Sequence, residues 1–176
     1  MSIRNIPDPG IAGDDGSADA DLTAALSAYA AAADADHRDV LVHLQHARLL
    51  VPVVAMLGDV EYDERGLAHE KTSDMATVLT RGRDGRLALL AFTSTDSLTA
   101  WNSDARPVPA PAARVAAAGL QDKAEAIVID IAGPTVFVVE GGDLRALADG
   151  QSLHRVEGSY AWYKHITRAV PSDIGP

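Results

Sequence analysis

Arg81-Gly-Arg-Asp-Gly-Arg-Leu-Ala-Leu-Leu-Ala-Phe-Thr-Ser-Thr95 decides how this chain folds. Asp84-Gly85 is a tight-turn pair, because glycine enters the left-handed region without steric cost and aspartate tolerates it. The flanking stretches, Met75 to Arg81 and Arg86 to Thr93, then read as the two arms of a β-hairpin. In the second arm both faces are apolar, Leu87, Leu89 and Ala91 against Ala88, Leu90 and Phe92. A strand of that kind belongs in the middle of a sheet covered on both sides. Ser94 or Thr95 follows as the N-cap of a short helix containing Leu98 and Trp101.

Toward the N-terminus, Leu49-Leu-Val-Pro-Val-Val-Ala-Met-Leu57 has the length of another strand. Pro52 has no amide hydrogen to give a ladder, so the strand is expected at an edge, or Pro52 at its first residue or a bulge. Ahead of it Asp36 caps a helix with the stripe Val40, Leu41, Leu44 and Ala47, and Asp39 stands where a capping-box acid would. Asp19 caps an earlier helix through Leu22, Leu26 and Tyr29, which is rich in alanine and expected to pack lightly. Residues 1–18 carry glycine, proline and aspartate with little periodicity and read as a flexible arm.

Toward the C-terminus, Arg106-Pro-Val-Pro-Ala-Pro111 is held extended by its prolines, and an alanine-rich helix runs from about Ala112 to Leu120. Ile127 to Ile131 and Thr135 to Val139 form a second hairpin around Gly133-Pro134, and Gly141-Gly142 precedes a short helix. The whole is an α+β domain over residues 19–150, with a mixed, largely antiparallel sheet flanked by helices. Residues 151–176 form a C-terminal extension with a mildly basic balance.

A length of 176 residues suits one domain with a real core. The net charge of −10 argues against a nucleic-acid partner, which would require a basic surface. With no cysteine, disulfides, thiolate metal sites and a cysteine nucleophile are excluded together. No apolar run reaches the roughly 18 residues that cross a bilayer, and the N-terminus lacks a secretory apolar region. A cytoplasmic protein with no membrane partner is the expectation.

Few constellations suggest chemistry. Asp39, His43 and His46 share one side of a helix at i, i+4 and i+7, but one helix cannot complete a tetrahedral metal site, and a solvated face explains them. The loop Asp59 to Glu70 spaces oxygens as a calcium loop does, yet Glu64 stands where that loop needs glycine. Ser94 lacks a nucleophile elbow, and no glycine-rich phosphate loop is present. Arg106 follows Trp101 closely, where a guanidinium can stack on indole or grip a carboxylate. Its alternative is an internal ion pair with Asp130, which itself ends an apolar run and can equally serve a turn.

The order of these segments resembles the SseB family, specifically its N-terminal domain, named for an enhanced-serine-sensitivity phenotype. The matching pieces are Leu49-Leu-Val-Pro-Val-Val54, Ser73-Asp-Met-Ala76 with Asp84-Gly-Arg86, Ala91-Phe-Thr-Ser94 with Leu98 and Trp101, Arg106-Pro-Val108, and Ala126-Ile-Val-Ile-Asp130 with Gly133-Pro134. Leu90 departs from the family pattern, where many relatives carry proline. The resemblance covers roughly residues 20–150 and implies a mixed α/β domain of a bacterial cytosolic protein. The alanine- and aspartate-rich style points to an actinobacterial source. The family supplies no catalytic residues to carry over.

The expected function is a non-catalytic binding or regulatory module with no cofactor and no metal, for an unknown protein or small-molecule ligand. Its expected surface is Phe92, Thr93, Ser94, Trp101, Arg106 and Asp130. One alternative is an enzyme acting on a small amino-acid-like metabolite, with Arg106 on a carboxylate and Asp130 or a histidine as base. The other is an assembly protein that forms homo-oligomers through Tyr160, Trp162 and Tyr163.

Overall fold

The computed structural model describes residues 11, 13–56, 60–62, 68–70 and 74–164. The carboxylate of Asp19 accepts the Leu22 N–H at 2.9 Å and opens α1 (Ala20–Ala31). Leu22 and Leu26, one turn apart, are buried, and Tyr29 meets Phe137 edge-on with ring centroids 5.5 Å apart. This helix is anchored by three large side chains, more firmly than its alanine content promised. Asp36 accepts the Arg38 N–H at 2.9 Å and opens α2 (His37–Leu44), which buries Val40, Leu41 and Leu44. Asp39 does not close a capping box; it accepts the Tyr160 hydroxyl instead.

The strands and helices that follow are β1 (Arg48–Met56), β2 (Val60–Tyr62), β3 (Ala68–Glu70), β4 (Asp74–Thr77), β5 (Leu79–Arg81), β6 (Leu87–Ala91), α3 (Thr95–Trp101), β7 (Arg106–Pro111), α4 (Ala112–Gln121), β8 (Ala126–Ile129), β9 (Phe137–Glu140), α5 (Gly141–Ala148), β10 (Ser152–Val156) and β11 (Ser159–Tyr163). They form one sheet in the order β4-β1-β7, another in the order β5-β6-β8-β9, and the hairpins β2-β3 and β10-β11. Among the described residues only β6 and β8 run parallel, so the fold is α+β with largely antiparallel sheets. Half of the acidic stretch 59–70, residues 59 and 63–67, lies outside the described residues.

The hairpin around Asp84-Gly85 is present, with Leu79 opposite Leu89 and Gly85 at φ +84°. Its first arm, however, is divided: β4 pairs with β1, β5 pairs with β6, and the chain passes between sheets at Val78. The sheets also touch where Leu50 and Phe92 exchange backbone hydrogen bonds of 2.7 and 2.8 Å.

That exchange corrects the expectation for Pro52. Backbone groups of alternate strand residues point to opposite sides. Leu50 points toward β6, and so does Pro52, which falls in the gap between the Phe92 bridge and the β4 ladder beginning at Val53. The strand is therefore central, with a proline where no partner asks for an amide hydrogen. The same parity governs β7, where Arg106, Val108 and Ala110 face β1 and Pro107, Pro109 and Pro111 face outward. An alternating proline stretch thus serves as an edge strand without losing a ladder bond.

The sheets divide two cores. Leu49, Leu89, Ala91, Ile127, Ile129, Phe137 and Val139 face α1, α2, α4 and α5. Leu50, Leu90, Phe92 and Leu98 form a smaller core beneath α3, with Trp101 packed against it. β6 therefore contributes to both cores, as its two apolar faces require. Each fully buried leucine here stabilises the fold by roughly 1.5–3 kcal/mol.

The β10-β11 hairpin docks on the larger core through Leu153, which is buried, with Tyr160 and Trp162 packed beside it. Trp162 Nε1 donates to Asp143 at 2.7 Å, and the guanidinium groups of Arg38 and Arg155 lie over the Tyr160 ring, 5.4 and 5.5 Å from its centre. All three aromatics considered for self-association make contacts within their own chain, although Tyr163, edge-on to His154 at 5.7 Å, is about half exposed. No helix among the described residues is long and apolar enough to cross a membrane.

Candidate functional site

β8 ends at Ile129, but its ladder continues one residue: the Asp130 N–H donates to the Ala91 carbonyl at 3.0 Å. Asp130 then turns the chain off the sheet at φ +52°, a left-handed value that aspartate tolerates better than most residues. Its carbonyl accepts the Gly133 N–H at 2.8 Å. A Cβ on Gly133 would lie 2.9 Å from the Asp130 Cβ, so the tight turn requires glycine there.

The turn aims the Asp130 carboxylate at the end of the neighbouring strand. Oδ1 accepts the Thr93 N–H at 2.9 Å and the Ser97 hydroxyl at 2.6 Å, and Oδ2 accepts the Thr93 hydroxyl at 2.6 Å. Ser97 belongs to the capping box of α3, in which the Ser94 hydroxyl accepts the Ser97 N–H at 3.1 Å. Asp130 and Thr93 are the two buried polar side chains among the described residues, 5 % and 6 % exposed.

Arg48 holds this cluster from behind. Its Nη1 donates to the Thr93 carbonyl at 2.8 Å, and its Nη2 donates to Asp14 Oδ1 at 2.7 Å and the Ser17 carbonyl at 2.6 Å. Nε lies 2.5 Å from Asp14 Oδ2, a direct charge contact. The Thr95 N–H donates to the Gly16 carbonyl at 2.8 Å. The segment just ahead of α1 is in this way strapped across the start of α3.

Above the carboxylate is an open cleft of about 340 Å³. Thr23, Leu26 and Ser27 of α1 form one wall, Asp96 and Ala100 of α3 another, and Ala132 to Thr135 a third. A second hollow, about 520 Å³, lies between α1, α2 and the β10-β11 hairpin. Four alanines, Tyr29 and Val42 supply its apolar walls, and its rim charges bind one another: Asp39 receives Tyr160 and faces Arg155, and Asp36 pairs with Arg38 at 2.9 Å. Arg38 holds Asp36 below the ordinary carboxylate range, and the Asp39 carboxylate raises the Tyr160 phenol. Of these two hollows, the Asp130 cleft is the one lined by a buried carboxylate.

Of the residues singled out from the sequence, Thr93, Ser94 and Asp130 converge on the cleft. Phe92, one residue before Thr93, faces the opposite side and is fully buried against Trp101, their ring centroids 5.5 Å apart. Arg106 is exposed on β7, opposite Val53. Asp130 is therefore bound by two hydroxyls and an amide, not by the arginine considered for it. Ser97 and Arg48 were missed. Ser97 was legible as the third residue after a serine cap, whereas an arginine opening an apolar strand carries no signal. Among the described residues no group of three or more His, Cys, Asp or Glu is placed to hold a metal ion.

Residues 22–146 match the family model for the SseB protein N-terminal domain. The chain belongs to the SseB family. No curated protein and no solved structure matches it. The SseB match takes in most of α1 through most of α5, and with them every wall of the Asp130 cleft except Ala18. The Asp14–Ser17 strap and the β10-β11 hairpin lie outside it.

Proposed function

We propose that this SseB-family domain is a non-catalytic binding module whose ligand site is the Asp130 cleft. The observation that carries the reading is the buried Asp130 carboxylate at the floor of an open cleft of about 340 Å³, a size at the lower end of small-molecule sites. The hydroxyls beside it are committed to one another and to the carboxylate, and no imidazole lines the described walls to activate them. A small molecule fits the cleft better than a protein surface does, because the walls close around it on three sides.

Ser27 tests the site. It is exposed on α1 and lines the cleft, so Ser27→Trp fills the space while leaving the core untouched. A fragment panel screened by thermal shift should yield ligands that stabilise the wild type and not the folded Ser27→Trp variant, and mass spectrometry should recover them unchanged. Ligands that stabilise both proteins equally, or that are converted to product, would sink the reading.

A further inference from the structure

We propose that the Asp130 cleft takes a small organic cation, a primary ammonium on a short apolar body, with Asp130 as its counter-charge. This rests on reading the cleft as the binding site. Asp130 is 5 % exposed, and among the described residues no lysine, arginine or histidine pairs with it. Its three donors are all neutral. Arg48, the nearest cation in the cluster, is bound to the Thr93 carbonyl and to Asp14. A buried carboxylate without a directly paired cation is costly, and the cost is relieved when a ligand supplies the positive charge.

The fold needs an acceptor at this position but not a charge. Asparagine also tolerates the left-handed turn. Its oxygen would take the Thr93 N–H and the Ser97 hydroxyl, and its amide would donate to the Thr93 hydroxyl after that group rotates. A carboxylate offers about four acceptor positions. The three donors occupy two on Oδ1 and one on Oδ2, which leaves Oδ2 with capacity for a further donor.

The rest of the cleft narrows the class. Asp96 on the α3 wall adds a second negative charge, and no described wall residue is basic. A ligand carboxylate would find no partner, so a simple amine is favoured over an amino acid. Leu26, Ala100 and Pro134 supply apolar surface for a short carbon chain. A charge-assisted N–H···O bond then fixes the head group.

The test titrates the full chain with n-butylammonium and with 1-pentanol and L-norleucine, each one methylene longer, the first uncharged and the second carrying an added carboxylate. Calorimetry and amide chemical shifts are the readouts, and circular dichroism checks each variant. n-Butylammonium should shift the Thr93 amide of the wild type, and its affinity should fall about tenfold or more in Asp130→Asn. It should also be lost in Ser27→Trp, and norleucine and pentanol should bind at least about tenfold more weakly. The wild-type Thr93 shift stands by itself if Asp130→Asn fails to fold. Equal binding of n-butylammonium to wild type and Asp130→Asn, or no Thr93 shift, overturns the cation assignment. If pentanol or norleucine binds best, and only Ser27→Trp abolishes it, the cleft stands as the site and the ligand class falls. If no compound distinguishes wild type from Ser27→Trp, both readings fall.

Discussion

Gln45 and Leu153 meet as two strand residues would: the glutamine Nε2 donates to the Leu153 carbonyl at 3.0 Å, and its Oε1 accepts the Leu153 N–H at 2.7 Å. Gln45 is the C-cap of α2, so the end of a helix supplies the pairing that β10 lacks on that side. This contact, with the buried Leu153, fastens the C-terminal hairpin to the SseB domain.

Gln45→Ala should therefore loosen the hairpin. Two partly buried hydrogen bonds together contribute about 1–3 kcal/mol. Hydrogen exchange at the Leu153 amide should accelerate strongly while the β6 amides stay protected. Unchanged exchange at Leu153 would show that Trp162 and Tyr160 hold the hairpin without it.

Asp130→Leu should cost about 3 kcal/mol, because it strands the buried Thr93 amide and hydroxyl without an acceptor. Asp130→Asn should cost about 1 kcal/mol, since it can satisfy the same groups. Denaturant unfolding measures both. A larger loss for Asn than for Leu would contradict the account of the cluster.

Such distinctions show where the sequence speaks. Asp19, Asp36 and Ser94 were legible as caps because a cap needs only a short side chain beside the free amides of a helix start. The double-sided burial of β6 was legible from Leu87 to Phe92, because alternation along a strand fixes which residues share a face. That same alternation separates Phe92 from Thr93, and so divides residues that looked like one surface. The division of the first hairpin arm at Val78 and the central place of Pro52 were not legible. Both depend on which strand lies alongside, which residues far apart in the chain decide. The Arg48 cluster was hidden for the same reason: its partners lie 31 to 45 positions away.

Gly16 closes the strap at φ +78°, and a Cβ there would fall 2.1 Å from Thr95 Oγ1. Gly16→Ala should cost about 1–2 kcal/mol and release the strap from α3. Faster exchange at the Thr95 amide, with little change at the Leu89 amide, is the expected signature. Protection at Thr95 equal to wild type would mean that the segment accommodates the methyl by another route.

Tyr160 makes a pH prediction. The Asp39 carboxylate beside its hydroxyl, and then partial burial, raise its pKa above the ordinary value of 10.0. A group whose pKa is raised on folding contributes its stabilisation in full below the unfolded value, and loses it as pH rises through the folded one. Hairpin docking should thus be unaffected near neutrality and weaken above pH of about 10. Ultraviolet titration of tyrosinate, compared with Tyr160→Phe, isolates this group. A Tyr160 transition at or below that of free tyrosine would be the contrary result.

The outward prolines of β7 have a consequence for the molecule among its neighbours. A strand arriving at that edge from another chain meets carbonyls at Pro107, Pro109 and Pro111 but finds no hydrogen to accept. Half of every would-be ladder is missing before it starts, so growth of the sheet halts on that flank whatever the protein concentration. The segment that seemed least suited to a strand is the one that closes this flank of the sheet.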